Sequence, residues 1–462
     1  MKVTSVSLRP TPAAETAGRP SLTPELLAAS GARYSRNNEG LDAILGKIDP
    51  NDLDKSVDSI FRMIDYGHQS IADMVPVAVF IDGVSMLLAY RIWSWCPTAG
   101  GQESSTRYIR IGPEGLMDPE DLGVPADRRE DWQALMADAF SAYEQAVAFW
   151  TRLGEEDPSL LRLPRALLED PSEKAAKQVA RMRRNYAFDR ARYFLPLAAK
   201  TNVMLVMSAR AWVQVCQRLH AEATPEATRL AGLLQAELLY SAPRLMKHAG
   251  AKPSFDAGLA AERDAWRNAA TALAASAPVG EACPRAVVSA MPPHGVTDAD
   301  IAASLSFHDN RYGYMGDSAA RTMVRFGWSA VAMGEIRDLN RHRTGTKHCP
   351  LVPQGFYCAL DQLPVPALAA HVPADVGDRA TAATLEALRE GRPGAAAWSL
   401  LGTQFPFEHA TTLDKFAYEA ELRTGTGAHY RYAKHLADAV AELSKSLPLT
   451  AAKIALGTAE PE

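Results

Sequence analysis

The feature that most constrains this chain is that its landmarks occur twice in the same order. Arg218 is followed eighteen residues later by Ala236-Glu237-Leu238, and Arg423 is followed at the same spacing by Ala441-Glu442-Leu443. Upstream, the run from Gly83 to Arg91 has a counterpart in the run from Trp328 to Arg337. Four residues after these arginines stand Trp95-Cys96-Pro97 and Arg341-His342-Arg343, and each copy then reaches a tyrosine, Tyr108 or Tyr357, through a loop with Pro and Gly. Repetition in fixed order points to a duplicated unit rather than one large core. The length of 462 residues agrees, because a single core rarely serves more than about 250–300 residues. The expected division is 1–250 for the first copy and 251–462 for a diverged second copy, with the junction between 250 and 290.

Local patterning supplies the elements. The first 24 residues read as a short strand and a loose arm. Leu53 to Tyr66 carries apolar residues at helical spacing. Val75 to Ile81 reads as a strand ended by an Asp82-Gly83 turn, and Ser85 is placed to cap a helix through Trp93. Pro97 to Gln102 reads as a Gly-rich loop. Helices are predicted over Asp131–Leu153, Glu173–Ala191, Val203–Leu219 and Pro225–Tyr240. The fold class is therefore α+β, as two related domains, each a small, mainly antiparallel sheet flanked by long helices.

Bulk numbers exclude more than they assign. A net charge of −5 argues against a general nucleic-acid binder, and no stretch of about 18 uninterrupted apolar residues predicts a membrane span. Five cysteines without a CxxC pair fit a reducing, cytoplasmic compartment better than a disulfide framework. His342, His348 and Cys349 match no standard zinc spacing, and no metal is expected.

Two segments concentrate chemistry. Arg341-His342-Arg343 sets two rigid guanidinium forks around an imidazole, which suits a diphosphate or an anionic ring, or equally a solvated basic helix end. Gln102-Glu103-Ser104-Ser105-Thr106-Arg107-Tyr108 follows Gly100-Gly101 and gathers hydrogen-bonding groups, which suits a polar heterocycle with a phosphate, or a polar surface loop.

Together these segments resemble the signature of the flavin-dependent thymidylate synthases, Arg-His-Arg followed by a Glu-x-Ser-x-Arg-Tyr ending, here divided between the copies. Ala32-Arg33-Tyr34-Ser35, Gly67-His68-Gln69-Ser70, Ala191 to Pro196, Ser208-Ala209-Arg210 and Arg218 are similar to further elements of that family. Trp95-Cys96-Pro97 replaces Arg-His-Arg in the first copy, and Pro353 to Tyr357 replaces the Ser and Arg of the ending in the second.

The resemblance implies an FAD enzyme that methylates dUMP to dTMP, with NADPH and methylenetetrahydrofolate as co-substrates. It implies that Gln102, Glu103, Ser105, Arg107, Arg192 and Arg218 bind the nucleotide, with Ser105 and Arg218 the catalytic candidates. Ser35, His68, Ser70, Ser208, Arg210, Arg341, His342 and Arg343 are the implied flavin ligands, and Arg423 a weaker one. Family sites draw on several subunits, which implies a homodimer of tandem chains. Open alternatives are a diverged flavoenzyme acting on another nucleotide or heterocycle, and a nucleotide- or flavin-binding homologue without turnover.

Overall fold

A computed structural model describes residues 1–35, 40–49, 52–65, 69–96, 99–273 and 278–459. The chain divides into two compact units: Met1–Ser104 with Asp121–Gly123 and Lys200–Arg263, and Ser105–Glu120 with Val124–Ala199 and Asp264–Glu462.

The first unit is built on a four-stranded antiparallel sheet of β1 (Lys2–Val6), β2 (Pro76–Ser85), β3 (Gly100–Glu103) and β4 (Lys200–Ser208), in the order β1-β2-β4-β3. Alternation decides which face is covered. Val203, Leu205 and Met207 of β4 point inward with Val77, Val79 and Ile81 of β2, against Leu88 and Ile92 of helix Met86–Trp95 and Trp212 and Val215 of helix Ala209–Ala221. Ser85 caps the former helix, its Oγ accepting from Leu88 N at 3.0 Å, and Ser208 caps the latter through Ala211 N at 3.2 Å.

The second unit repeats the plan. Its five-stranded sheet holds β5 (Ala286–Met291), β6 (Met323–Ala332), β7 (Thr346–His348), β8 (Gly355–Phe356) and β9 (Thr403–Thr412), ordered β5-β6-β9-β7 with β8 also on β9. All pairings are antiparallel. Here too the second strand runs into a helix, Met333–Leu339, and the long central strand into another, Leu413–Thr424. The register slips at the same stage of each repeat, between Asp82 and Val84 on β2 and between Trp328 and Val331 on β6. Equal strand order, pairing sense and slip position make the two sheets copies of one plan. The second unit also contains the long helices Arg129–Glu156 and Glu173–Ala191.

Three expectations need correction. Asp82-Gly83 is a bulge inside β2, with Gly83 at φ +72, and not a terminating turn. Gly100-Gly101 forms strand β3 and not a loop. Residues 203–208 belong to β4 and not to a helix, because their side chains alternate between buried and open positions up to the Ser208 cap. No helix among the described residues is long and apolar enough to cross a membrane.

Candidate active-site cleft

In the second unit, helix Met333–Leu339 ends at Asn340, and Arg341-His342-Arg343 follow directly. The chain then turns into β7 through Gly345, at φ +73, where an added Cβ would lie 2.0 Å from Ala410 O. That turn holds the three basic residues beside helix Leu413–Thr424. A cleft of about 600 Å³ lies there, walled by Arg311, Arg341, Arg343, Lys415 and Arg423 with Tyr312 and Tyr418. Asp414 is the only carboxylate among its lining residues. The volume is within the usual range for a small-molecule site, and cations with aromatic rings suit an anion that carries a planar group.

His342 sits at the back of the cleft, 8% exposed. Its Nε2 accepts from Arg423 Nε at 2.8 Å, and Arg423 Nη2 donates to Asp338 O at 3.1 Å. Burial pulls the imidazole down to about 3, against the opposing carboxylate of Glu419, so the ring is neutral near pH 7. Burial alone would raise the Asp338 carboxyl, but Arg192, Arg341, Arg423 and Arg107 outweigh it and hold it well below the usual range. Arg343 Nη1 donates to Asn340 O and Lys347 Nζ to His342 O, both tying the loop down. Burial lowers the Lys347 ammonium to about 8.

Other expected site residues of this unit are placed differently. Arg107 is bidentate to Asp189, at 2.7 and 2.8 Å, and its Nη1 donates to Gly427 O at 3.0 Å. Ser105 Oγ accepts from Arg107 N at 3.2 Å. Arg192 is 1% exposed and bound by Asp338 and Glu335 at 3.0 and 3.3 Å. Neither guanidinium is the free phosphate clamp that the sequence led us to expect: each is already neutralised by carboxylates of its own unit.

In the first unit, Gln102 and Glu103 lie on β3 opposite Met204 and Val203. Ser208 and Arg210 meet Asp73, at 3.4 and 2.9 Å, on the short helix that starts at Ser70. Ser35 ends helix Pro24–Tyr34, its Oγ donating to Ala32 O at 2.9 Å. His68 lies outside the described residues, as does Pro97. Arg218 packs over Trp95 and Phe255, at 5.8 and 6.0 Å, beside Cys96, whose thiol burial pushes up to about 12. Arg218 therefore stands to Trp95-Cys96 as Arg423 stands to Arg341-His342.

Sequence reasoning missed Arg311, Tyr312, Lys415 and Tyr418. A signal existed for the last two, since Lys415, Tyr418 and Leu422 recur at helical spacing on one face.

Fold and cleft together define an α+β protein with a cationic, aromatic-lined cleft. The profile of the family described as "Thymidylate synthase complementing protein" matches residues 21–244, and over that stretch the chain is similar to this family. Among curated relatives, a UPF0159 protein of Thermoplasma acidophilum is 26% identical over 242 residues, 47% of this chain and 48% of that relative. The chain thus spans about half the length of that protein. The flavin-dependent thymidylate synthases of Geobacter sulfurreducens and Clostridium tetani are 24% and 22% identical, over 49% of this chain and 82% of each relative. Among solved structures, the Helicobacter pylori enzyme complexed with FAD and dUMP is 17% identical with a TM-score of 0.31, covering 55% of this chain and all of that one. A UMP/dUMP methylase, PolB, from Streptomyces cacaoi bound with 5-Br dUMP is 16% identical with a TM-score of 0.30, covering 48% of this chain and 89% of that one.

Proposed function

We propose that this chain is a flavin-dependent methyltransferase of the thymidylate synthase type, acting on a pyrimidine nucleotide, with its FAD held at the Arg341–Arg343 cleft. The observation that carries this reading is the gathering of five cationic side chains and two tyrosines around one cleft in a chain whose first half matches the family. FAD fits that donor set. Its diphosphate requires fixed cations and its ring system an aromatic wall, and both are present.

Arg341, Arg343 and Arg311 would bind the diphosphate, and Tyr312 and Tyr418 would pack against an aromatic ring. When bound, the flavin would supply the redox chemistry of the transfer, with NADPH and methylenetetrahydrofolate as co-substrates and dUMP as acceptor. The protein would contribute position and charge. In the first unit, Arg218, half-buried and without a carboxylate hydrogen bond among the described residues, would stabilise negative charge on the pyrimidine carbonyl, and Gln102 and Glu103 would orient the base. Two chains would associate to complete the sites, and light scattering at micromolar concentration reads that directly.

The test is oxidation of the reduced flavoprotein with methylenetetrahydrofolate and dUMP present. Flavin absorbance that recovers only when dUMP is added supports the reading. A protein that never takes up FAD overturns it. The engagement of Arg107 by Asp189 and the burial of Arg192 favour one variant of the reading, in which the acceptor is a different nucleotide or heterocycle. A panel of pyrimidine nucleotides and free bases in the same assay separates the two.

A further inference from the structure

Behind the cleft lies a buried acid–imidazole network that the proposed chemistry does not use. Glu419, 1% exposed on helix Leu413–Thr424, has Oε2 3.8 Å from His342 Nδ1 and 3.1 Å from His409 Nδ1. His409, fully buried on β9, has Nε2 2.7 Å from Thr344 O. Hydrogen-bond polarity fixes the sense of the chain. His342 Nε2 accepts from Arg423 Nε–H, so its proton sits on Nδ1 and faces the Glu419 carboxylate. Arg423 is then held by two bonds, Nε to His342 and Nη2 to Asp338 O, and its Nη1 has no hydrogen-bond partner among the described residues. Neither Glu419 oxygen has an aligned hydrogen bond, so this carboxylate acts on the rings through charge at short range.

The first unit lacks the network. His409 stands three residues before the helix cap Thr412, and Glu419 seven after it. Counted from the cap Ser208, the same places hold Leu205 and Val215, both fully buried and apolar. Trp95 occupies the place of Arg341, with the guanidiniums of Arg91 and Arg218 over its ring at 5.1 and 5.8 Å. Arg91 is bound by Glu222 at 3.1 Å and by Glu262 of helix Pro253–Ala272 at 3.4 Å, and Phe255 of that helix covers Arg218. Among the described residues, packing and ion pairs surround Trp95, where the second unit has a cationic cleft.

We propose that Glu419 and His409 are positioning residues that orient His342 and Arg423 toward an anionic ligand, and that the first unit, with Leu205 and Val215 in their places, forms no equivalent cleft, so that one chain binds one flavin diphosphate and not two. The ligand rests on the function proposed above; the positioning role and the single site rest on the network.

Titration of the full chain with FAD, followed by flavin fluorescence, tests both parts. One FAD per chain is expected, and two per chain overturns the single site. Glu419→Gln, nearly isosteric and therefore expected to fold, should weaken FAD binding about tenfold, the loss expected when one charge-assisted contact is misaligned. A role confined to folding would lower the melting temperature and leave the affinity of the folded protein unchanged. The double variant Glu419→Gln with Arg423→Ala separates the two: binding no weaker than with Arg423→Ala alone supports action through Arg423, and additive losses overturn it. Inorganic pyrophosphate, titrated calorimetrically, distinguishes the two readings. If pyrophosphate binds once per chain and Glu419→Gln weakens it while FAD does not bind, the flavin reading falls and the positioned anion site stands. If neither ligand binds, both fall.

Discussion

Arg192 offers a sharp test, because sequence resemblance assigns it to the nucleotide and the structure gives it other partners. Its guanidinium is 1% exposed, with Nη1 3.0 Å from Asp338 Oδ2 and Nη2 3.3 Å from Glu335 Oε1, an oxygen that also accepts from Tyr193 OH at 2.7 Å. Replacing Arg192 with Met fills much of the volume and leaves two carboxylates behind. Breaking a buried pair from one side costs about 3–5 kcal/mol. In a unit of about 290 residues that lowers the melting temperature by about 5–8 °C.

The pH dependence is more diagnostic. Burial has already raised Glu335 to about 7 with Arg192 opposing the shift, so without Arg192 the carboxyl stays protonated to higher pH. In the parent, the stability lost by holding this proton accumulates as pH rises from about 4.5 to about 7 and then levels off. In the variant it continues to accumulate, by about 1.4 kcal/mol for each further pH unit. Urea denaturation of parent and Arg192→Met at pH 6.5 and 8.5, followed by circular dichroism, should show a gap that widens at the higher pH. A variant that melts like the parent but loses nucleotide affinity tenfold would refute this account and return Arg192 to the substrate.

Arg341→Ala should lower FAD affinity about 10- to 100-fold at nearly unchanged melting temperature, because its side chain is 36% exposed and its nearest carboxylate, Asp338, is 3.5 Å away; equal affinity by fluorescence titration would make the second copy a scaffold. Gly345→Ala should lose flavin binding and several kcal/mol of stability, about 3 or more, since a Cβ there meets Ala410 O at 2.0 Å in a left-handed backbone; a variant with parental melting and binding contradicts that placement. Glu226, 3% exposed and raised to about 7 by burial, accepts from Ser85 N and Oγ at 2.7 and 2.8 Å. Its folded state holds the proton more tightly than the unfolded one, so parental stability should fall by about 3 kcal/mol between pH 4.5 and 7 relative to Glu226→Gln, and parallel urea midpoints across that range would disprove it.

Periodicity carried far where one signal dominated. Glu173–Ala191 was legible as a helix to the residue, and Ser85 as a cap, because an amphipathic repeat and a capping hydroxyl leave few alternatives. Residues 203–219 misled, since this apolar, partly β-branched run goes from strand to helix without a Gly or Pro, and the capping hydroxyl of Ser208 alone marks the change. Charge alone left Arg-His-Arg open between an anion site and a solvated basic helix end. Glu419 and His409 were not legible, because a glutamate on an amphipathic helix and a histidine in a strand look like ordinary surface residues until the fold buries them. The engagement of Arg107 by Asp189, 82 residues away in sequence, was equally hidden.

The partition of the backbone bears on how such a protein can be made and cut. The polypeptide leaves the first compact unit after Ser104, returns briefly at Asp121–Gly123, and comes back for Lys200–Arg263. The central strand β4, which joins β2 to β3, is therefore synthesised about a hundred residues after both of its neighbours. During translation β2 and β3 must wait with open edges, and a gene cut at residue 250 would separate the helices Arg129–Glu156 and Glu173–Ala191 from the rest of their compact unit. Fragments 1–250 and 251–462 should therefore aggregate when expressed apart.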